Sequence, residues 1–182
     1  MSAFGKAKVH TVRSVNERLK YINDQVFATQ RDPEMRALAL WLVRGCPQHG
    51  LESESCEIAT VFNFVKQNVQ YRQDPQNYDL YATGRRTLQV GAGDCDDHAV
   101  LLTGLLGCIG YYTGARVVSP DGTNWHIYAT AGAFPRHNPK KIIPLDTTQP
   151  PSFPGWEPPA VHRRYVKNIT FTEGGPIIEE LR

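Results

Sequence analysis

The chain has 182 residues, with 41% hydrophobic and 21% charged residues and 20 Lys and Arg against 18 Asp and Glu, for a formal charge of +2. This is the length of one domain with enough apolar material for a core, and no window approaches the ~20 consecutive apolar residues of a membrane helix, so disordered, collagen-like and membrane-spanning classes are excluded. The balanced charge argues against nucleic acid or an anionic membrane as a partner.

The N-terminal Met1-Ser-Ala-Phe-Gly-Lys-Ala-Lys8 lacks the apolar stretch of about 7–15 residues that marks a secretory signal. A cytoplasmic or virion-associated location is therefore expected. The default state of Cys46, Cys56, Cys95 and Cys108 is then a free thiol, although a Cys46–Cys56 pair ten residues apart stays open. Lys6, Lys8, Arg13, Arg18 and Lys20 make the first residues basic, which reads as a solvated arm and helix face.

Ser14-Val-Asn-Glu17 is a capping box that starts a helix running to about Thr29. Asp32-Pro33-Glu34 supplies a cap, a first-turn proline and an acidic first turn for a second helix, which Gly45 ends. A third helix is predicted over 53–70, where Ile58, Val61, Phe62, Val65 and Val69 follow helical spacing. Residues 71–90, with Asp74-Pro75 and Gly84, read as a long surface connection. Asp94 is placed to cap a fourth helix from Cys95 to about Ile109. Its body is apolar almost all round, the mark of a central buried helix.

Beyond it the period changes. Residues 115–119, 125–131 and 141–145 are short, β-branched or aromatic, and bounded by turn residues. Helices first and strands afterwards predict an α+β fold with an antiparallel sheet. Residues 1–146 form the expected single domain, divided into an N-terminal helical part (1–50) and a core (51–146). Residues 147–182 form a Pro-rich extended segment, because residues 144–159 hold six of the 13 prolines. Residues 163–171 are expected to add an edge strand.

Three positions carry the chemistry: Cys95 in Gly91-Ala-Gly-Asp-Cys-Asp-Asp-His98, His126 in Asn124-Trp-His-Ile-Tyr128, and Asp146 in Pro144-Leu-Asp-Thr-Thr148. A thiol in the first turn of a helix meets free N–H groups and the positive dipole end, which lower its pKa and favour the reactive thiolate. Gly91 and Gly93 leave the approach free of side chains, and the Cys95 N–H is placed to donate to a developing oxyanion. If the strands bearing His126 and Asp146 are neighbours, the carboxylate holds one imidazole nitrogen and the other faces the sulfur. Asp94, Asp96 and Asp97 oppose thiolate formation unless they point away or cap the helix. Taken singly, each residue also has a structural reading: a small buried thiol, a core histidine, a turn aspartate. Trp125 either walls the cleft or packs in the core.

Other motifs fail. Gly91-x-Gly93 lacks the third glycine of a dinucleotide loop, and Asp94-x-Asp96 lacks the glycine and distal glutamate of a calcium loop. There is no CxxC, HExxH or GxSxG. Neither a metal nor an organic cofactor is expected.

The run Gly91-Ala-Gly-Asp-Cys-Asp-Asp-His-Ala-Val-Leu-Leu102, followed by Gly110, Ala115-Arg-Val-Val118, Trp125-His-Ile-Tyr128 and Leu145-Asp-Thr-Thr148, resembles the transglutaminase-like superfamily. The preceding helix and Val69-Gln-Tyr-Arg-Gln-Asp-Pro75 resemble the segment before the active-site helix of bacterial and phage members, so the likeness spans about residues 53–148. It implies a papain-like α+β fold in which Cys95 is the nucleophile, His126 the general base and acid, and Asp146 the group that orients His126. It further implies hydrolysis of peptide or amide bonds, or acyl transfer to an amine. Gln89, six residues before Cys95, is a candidate oxyanion donor by analogy with papain-like enzymes. The implied partner is a peptide or protein substrate, with peptidoglycan among the candidates. The alternative is a structural component of a phage-like tail or baseplate, partnered by its subunits.

Overall fold

The computed structural model describes residues 8–10, 14–74 and 79–181, so Lys6, Arg13 and Pro75 lie outside it. Strand β1 (Lys8–His10) precedes α1 (Val15–Arg31). Ser14 caps α1, its hydroxyl accepting from the Glu17 N–H at 3.3 Å. The Asp32 carboxylate accepts from the Glu34 and Met35 N–H groups and starts α2 (Pro33–Val43). Both caps are the ones the sequence predicts, because each is satisfied within its own turn. Helix α3 (Leu51–Asn68) buries Ile58, Val61, Phe62 and Val65 along one stripe.

The stretch after α3 departs from expectation. In place of a plain connection it contains β2 (Gln70–Tyr71), β3 (Asp79–Tyr81), which pairs antiparallel with β1, and α4 (Gly84–Val90). Helix α4 is seven residues long with no apolar stripe, so periodicity could not reveal it. Tertiary contact holds it: the Gly84 N–H donates to Thr29 Oγ1 at 2.8 Å, and Gly84 and Thr87 are buried. Strand β4 (Ala92–Gly93) then runs parallel to β2 and leads into α5 (Cys95–Cys108).

Helix α5 is buried from Asp97 to Leu106. It packs against α1, α2, α3 and α4 on one side and the main sheet on the other. That sheet contains β5 (Tyr112–Ser119), β6 (His126–Ala133), β7 (Lys141–Leu145), β8 (Tyr165–Thr170) and β9 (Ile177–Leu181). It is antiparallel in the order β7-β6-β5-β8-β9. Its inner face presents Ala115, Val117, Ile127, Ala129, Ala131, Leu145 and Ile169 to the core. These small side chains let α5 lie close to the sheet. Burying a Val, Leu or Ile side chain stabilises the fold by about 1.5–3 kcal/mol. No helix among the described residues is long and apolar enough to cross a membrane.

One expectation about the C-terminal part is corrected. Residues 163–171 are expected at the edge, but β8 is internal because β9 pairs outside it. The proline-rich segment lies across the chain's own molecule. The Gly155 N–H donates to the Pro144 carbonyl at 2.9 Å, and Lys66 Nζ to the Ser152 carbonyl at 2.6 Å. Glu157 is the hub. It pairs with Arg116 and Arg163 and accepts from the Tyr128 hydroxyl at 3.0 Å.

The expectation of four free thiols is also overturned. Cys46 and Cys56 form a disulfide, with Cα atoms 5.7 Å apart, while Cys95 and Cys108 are free. The turn after α2 carries Cys46 back onto α3, an approach that a ten-residue spacing alone does not reveal. Closing so short a loop contributes about 2–3 kcal/mol.

The α1–α5 contact yields a prediction. Thr29 is fully buried and fixed by bonds to the Gln25 carbonyl (2.7 Å) and the Gly84 N–H. A Cβ at Gly104 would lie 2.3 Å from Thr29 Cγ2, whereas one at Gly107 would meet only the flexible end of Gln30. Gly104→Ala should therefore cost about 1–3 kcal/mol despite the better helix propensity of alanine. The melting temperature should drop by several degrees in thermal denaturation, while Gly107→Ala leaves it unchanged or higher. Equal behaviour of the two variants would contradict the packing argument.

Candidate active site

The site assembles where the start of α5 meets the start of β6 and the end of β7. Gly91, at φ +67°, ends α4 in the left-handed region that favours glycine. The β2–β4 ladder sets Tyr71 opposite Gly93, and the Arg72 N–H donates to the Gly93 carbonyl at 2.8 Å. A Cβ at Gly93 would sit 2.6 Å from that of Asp97, so only glycine lets the chain turn here into α5. Asp94 then caps the helix, its Oδ1 accepting from the Asp96 N–H at 3.1 Å and the Asp97 N–H at 3.4 Å.

This cap reverses one expectation. Burial pushes the Cys95 thiol well above its ordinary value, and the Asp94 and Asp96 charges push it further, while a hydrogen bond from the Ile127 N–H opposes them. The first-turn N–H groups that would favour a thiolate already serve the Asp94 carboxylate. The negative end of the cap therefore faces the sulfur in place of free donors.

His126 is the first residue of β6, and its Nε2 lies 2.7 Å from Asp146 Oδ2. Asp146 follows the last residue of β7 and is 1% exposed. Its other oxygen, Oδ1, accepts from the Thr148 N–H at 2.9 Å and the Thr148 hydroxyl at 2.7 Å. Burial alone would raise the Asp146 carboxyl, but the His126 and Thr148 bonds outweigh it and hold it below its ordinary value. With Nε2 engaged, Nδ1 is the imidazole nitrogen left for a reacting proton. The residue after His126 supplies the N–H that meets the Cys95 thiol, so the head of β6 lies against the head of α5.

The β5–β6 loop before His126 is ordered by Asp121. That carboxylate accepts from the N–H groups of Thr123 and Asn124 at 2.8 Å and from both of their side chains. These bonds hold its carboxyl far below the usual range. Trp125 packs on the core cluster beneath β5 and β6, with Lys167 Nζ 5.7 Å from its ring centre. Gln89 is exposed in the last turn of α4, and among the described residues no hydrogen bond joins it to Cys95.

Three residues at the site escaped the sequence reading. The Tyr71 hydroxyl is raised by burial and then by the charges of Cys95, Asp94, Asp146 and Asp96, so it lies near these groups and keeps its proton. His98, 2% exposed, has its Nδ1 2.8 Å from Thr147 Oγ1, and burial pulls its imidazole down to about 4. The spacing of His98 three residues after Cys95 was a usable signal, since it places both on one helix face. Tyr71 and Thr147 stand in runs that resemble the family, but nothing in those runs gave either a role at the site.

Asp94, Asp96 and Asp97 bring carboxylate oxygens within 4.8 Å of one another. Burial, followed by the neighbouring Asp94, raises Asp96 well above the carboxylate range and Asp97 to about 7. Asp97 Oδ1 accepts from the Ala82 N–H at 3.3 Å, whereas Asp96 Oδ1 is buried without a hydrogen-bond partner.

Residues 42–133 match the family described as the transglutaminase-like superfamily. No curated protein sequence matches the chain. Among solved structures it is similar to a candidate cysteine protease from Cytophaga hutchinsonii, at 14% identity and a TM-score of 0.51 over 68% of this chain and 42% of that one. It is also similar to a candidate protease from Parabacteroides distasonis, at 13% identity and a TM-score of 0.55 over 88% of this chain and 30% of that one. Calcium-bound LapG from Legionella pneumophila matches at 16% identity and a TM-score of 0.52, over 90% of each chain. The chain spans less than half the length of the first two, and at these identities the likeness is one of fold.

The Asp146 environment predicts a pH signature. A carboxyl held below its unfolded pKa stabilises the fold above that value, and this contribution is lost as pH falls through the folded pKa. Asp146→Asn should lower stability by about 1–3 kcal/mol at pH 7. The gap in melting temperature from the parent should begin to narrow as pH falls below about 4, where the unfolded carboxyl takes up its proton, and close only once the folded carboxyl is protonated too. A gap that stays constant from pH 7 to pH 3 would refute this account.

Proposed function

Because the chain belongs to the transglutaminase-like superfamily, we propose that it is a cysteine hydrolase or acyl transferase acting on a peptide or amide carbonyl. The observation that carries the reading is the 2.7 Å His126–Asp146 bond, formed where β6 meets the start of α5. In this mechanism His126 takes the Cys95 proton as the sulfur attacks the carbonyl carbon. The resulting oxyanion accepts from the Cys95 N–H and the Tyr71 hydroxyl. Collapse breaks the C–N bond, His126 returns the proton to the leaving amine, and a thioester on Cys95 remains. Water or a second amine then attacks the thioester, passing its proton to His126. The sulfur regains that proton as the acid or new amide departs. Asp146 stays ionised and fixes the imidazole.

The reading extends to a cation. The Asp94, Asp96 and Asp97 oxygens are hard ligands of the kind calcium takes, and the unpartnered Asp96 Oδ1 fits a site that accepts one. LapG, described as calcium-bound, shares the fold. A bound cation would offset the carboxylate charge beside the sulfur.

Two experiments test these statements. Iodoacetamide should alkylate Cys95 well ahead of buried Cys108, and His126→Ala should slow Cys95 alkylation at least about tenfold. Cys95→Ala should abolish cleavage of peptidoglycan or of a glutamine-donor peptide, whichever the parent attacks. Slow, equal labelling with no activity to lose would leave the structural role in a phage-like particle. For the cation, calcium chloride should raise the melting temperature by several degrees, EGTA should reverse the rise, and Asp96→Asn should remove it. An identical rise in the variant would exclude this site.

A further inference from the structure

We propose that His98 is a positioning residue that ties the loop carrying Asp146 to the helix carrying Cys95, through its bond to Thr147. The inference rests on the reading of Cys95, His126 and Asp146 given above. Asp146 can orient His126 only if its own backbone is fixed relative to α5, and residues 146–148 stand where β7 ends and the proline-rich segment begins. The bonds from Thr148 to Asp146 Oδ1 are internal to that loop, so they shape it without tying it to anything else. The tie to α5 comes from His98 Nδ1, 2.8 Å from Thr147 Oγ1, between two buried residues 49 positions apart in the chain.

His98 stands one helical turn after Cys95, so a displacement of the nucleophile is transmitted to Asp146 through one short side-chain link. The same imidazole lies 6.4 Å, centre to centre, from the Tyr71 ring. One buried side chain thus adjoins the nucleophile's helix, the loop of the orienting carboxylate and the proposed oxyanion donor. A buried hydrogen bond of this kind fixes geometry as well as adding stability, and a misplacement of about 1 Å at a reacting group can cost up to about a hundredfold in rate.

The test uses the full chain and iodoacetamide, with the Cys95 alkylation rate measured well below each variant's melting temperature. Thr147→Val removes the hydroxyl and keeps the volume; it should slow Cys95 alkylation about three- to tenfold. Thr147→Ser should return the rate to within about twofold of the parent. His98→Phe should slow it like Thr147→Val, and the double variant should be no slower than either single one, because all three lose the same bond. A purely structural role would shift melting temperatures and leave these rates unchanged. If His126→Ala slows alkylation but Thr147→Val does not, or Thr147→Ser fails to restore it, the positioning role is overturned and the underlying reading survives. If His126→Ala itself leaves the rate unchanged, the underlying reading fails and His98 has nothing to position.

Discussion

Helix α5 must be buried along its length, and the rest of the architecture follows from that constraint. A segment apolar on every side cannot be stable with a face in water, so four helices cover one side and the sheet the other. The sheet supplies alanines and valines where α5 presses closest, and Thr29 of α1 fits against the bare backbone of Gly104. The polar first turn is where this rod meets hydrogen-bonding partners. Cys95 and its three neighbouring aspartates are all there, with the heads of β6 and β2–β4 around them.

Electrostatics at that end is less simple than a helix dipole acting on a thiol. The cap that lets α5 begin is itself a carboxylate, and it takes up the N–H groups that would have stabilised a thiolate. Burial of the sulfur, the largest influence on it, acts in the same direction as the Asp94 charge. The thiol therefore holds its proton at rest, beside the head of β6 where His126 meets Asp146. Helix capping and thiolate stabilisation draw on the same few donors here, and capping has taken them.

The C-terminal segment shows how chain order can mislead about spatial order. Proline keeps residues 144–159 out of a central strand, as expected, yet the chain beyond them returns to the sheet and places β8 beside β5. Glu157 fastens the crossing stretch by meeting two arginines and Tyr128, whose ring lies 5.9 Å from that of His126. The segment therefore braces the sheet face that carries His126 and Tyr128.

Patterns satisfied within a few residues were legible in the sequence. The Ser14, Asp32 and Asp94 caps, the α3 stripe, the all-apolar α5 and the strand character of 141–145 needed only neighbouring residues. The order of Cys95, His126 and Asp146 along the chain was equally plain. Tertiary structure decided what depends on groups distant in sequence: the short helix α4 held by Thr29, the inner place of β8, and the contact of His98 with Thr147. It also decided the Cys46–Cys56 bond, which depends on how α2 turns back onto α3. It decided, too, the state of the Cys95 thiol, whose pKa is set first by burial, then by Asp94 and Asp96 beside it in the chain, and then by Ile127 and Asp146 brought from a distance. Caps and periodicity act through a residue's neighbours along the chain, whereas burial, charge and hydrogen bonding at a site act through its neighbours in space.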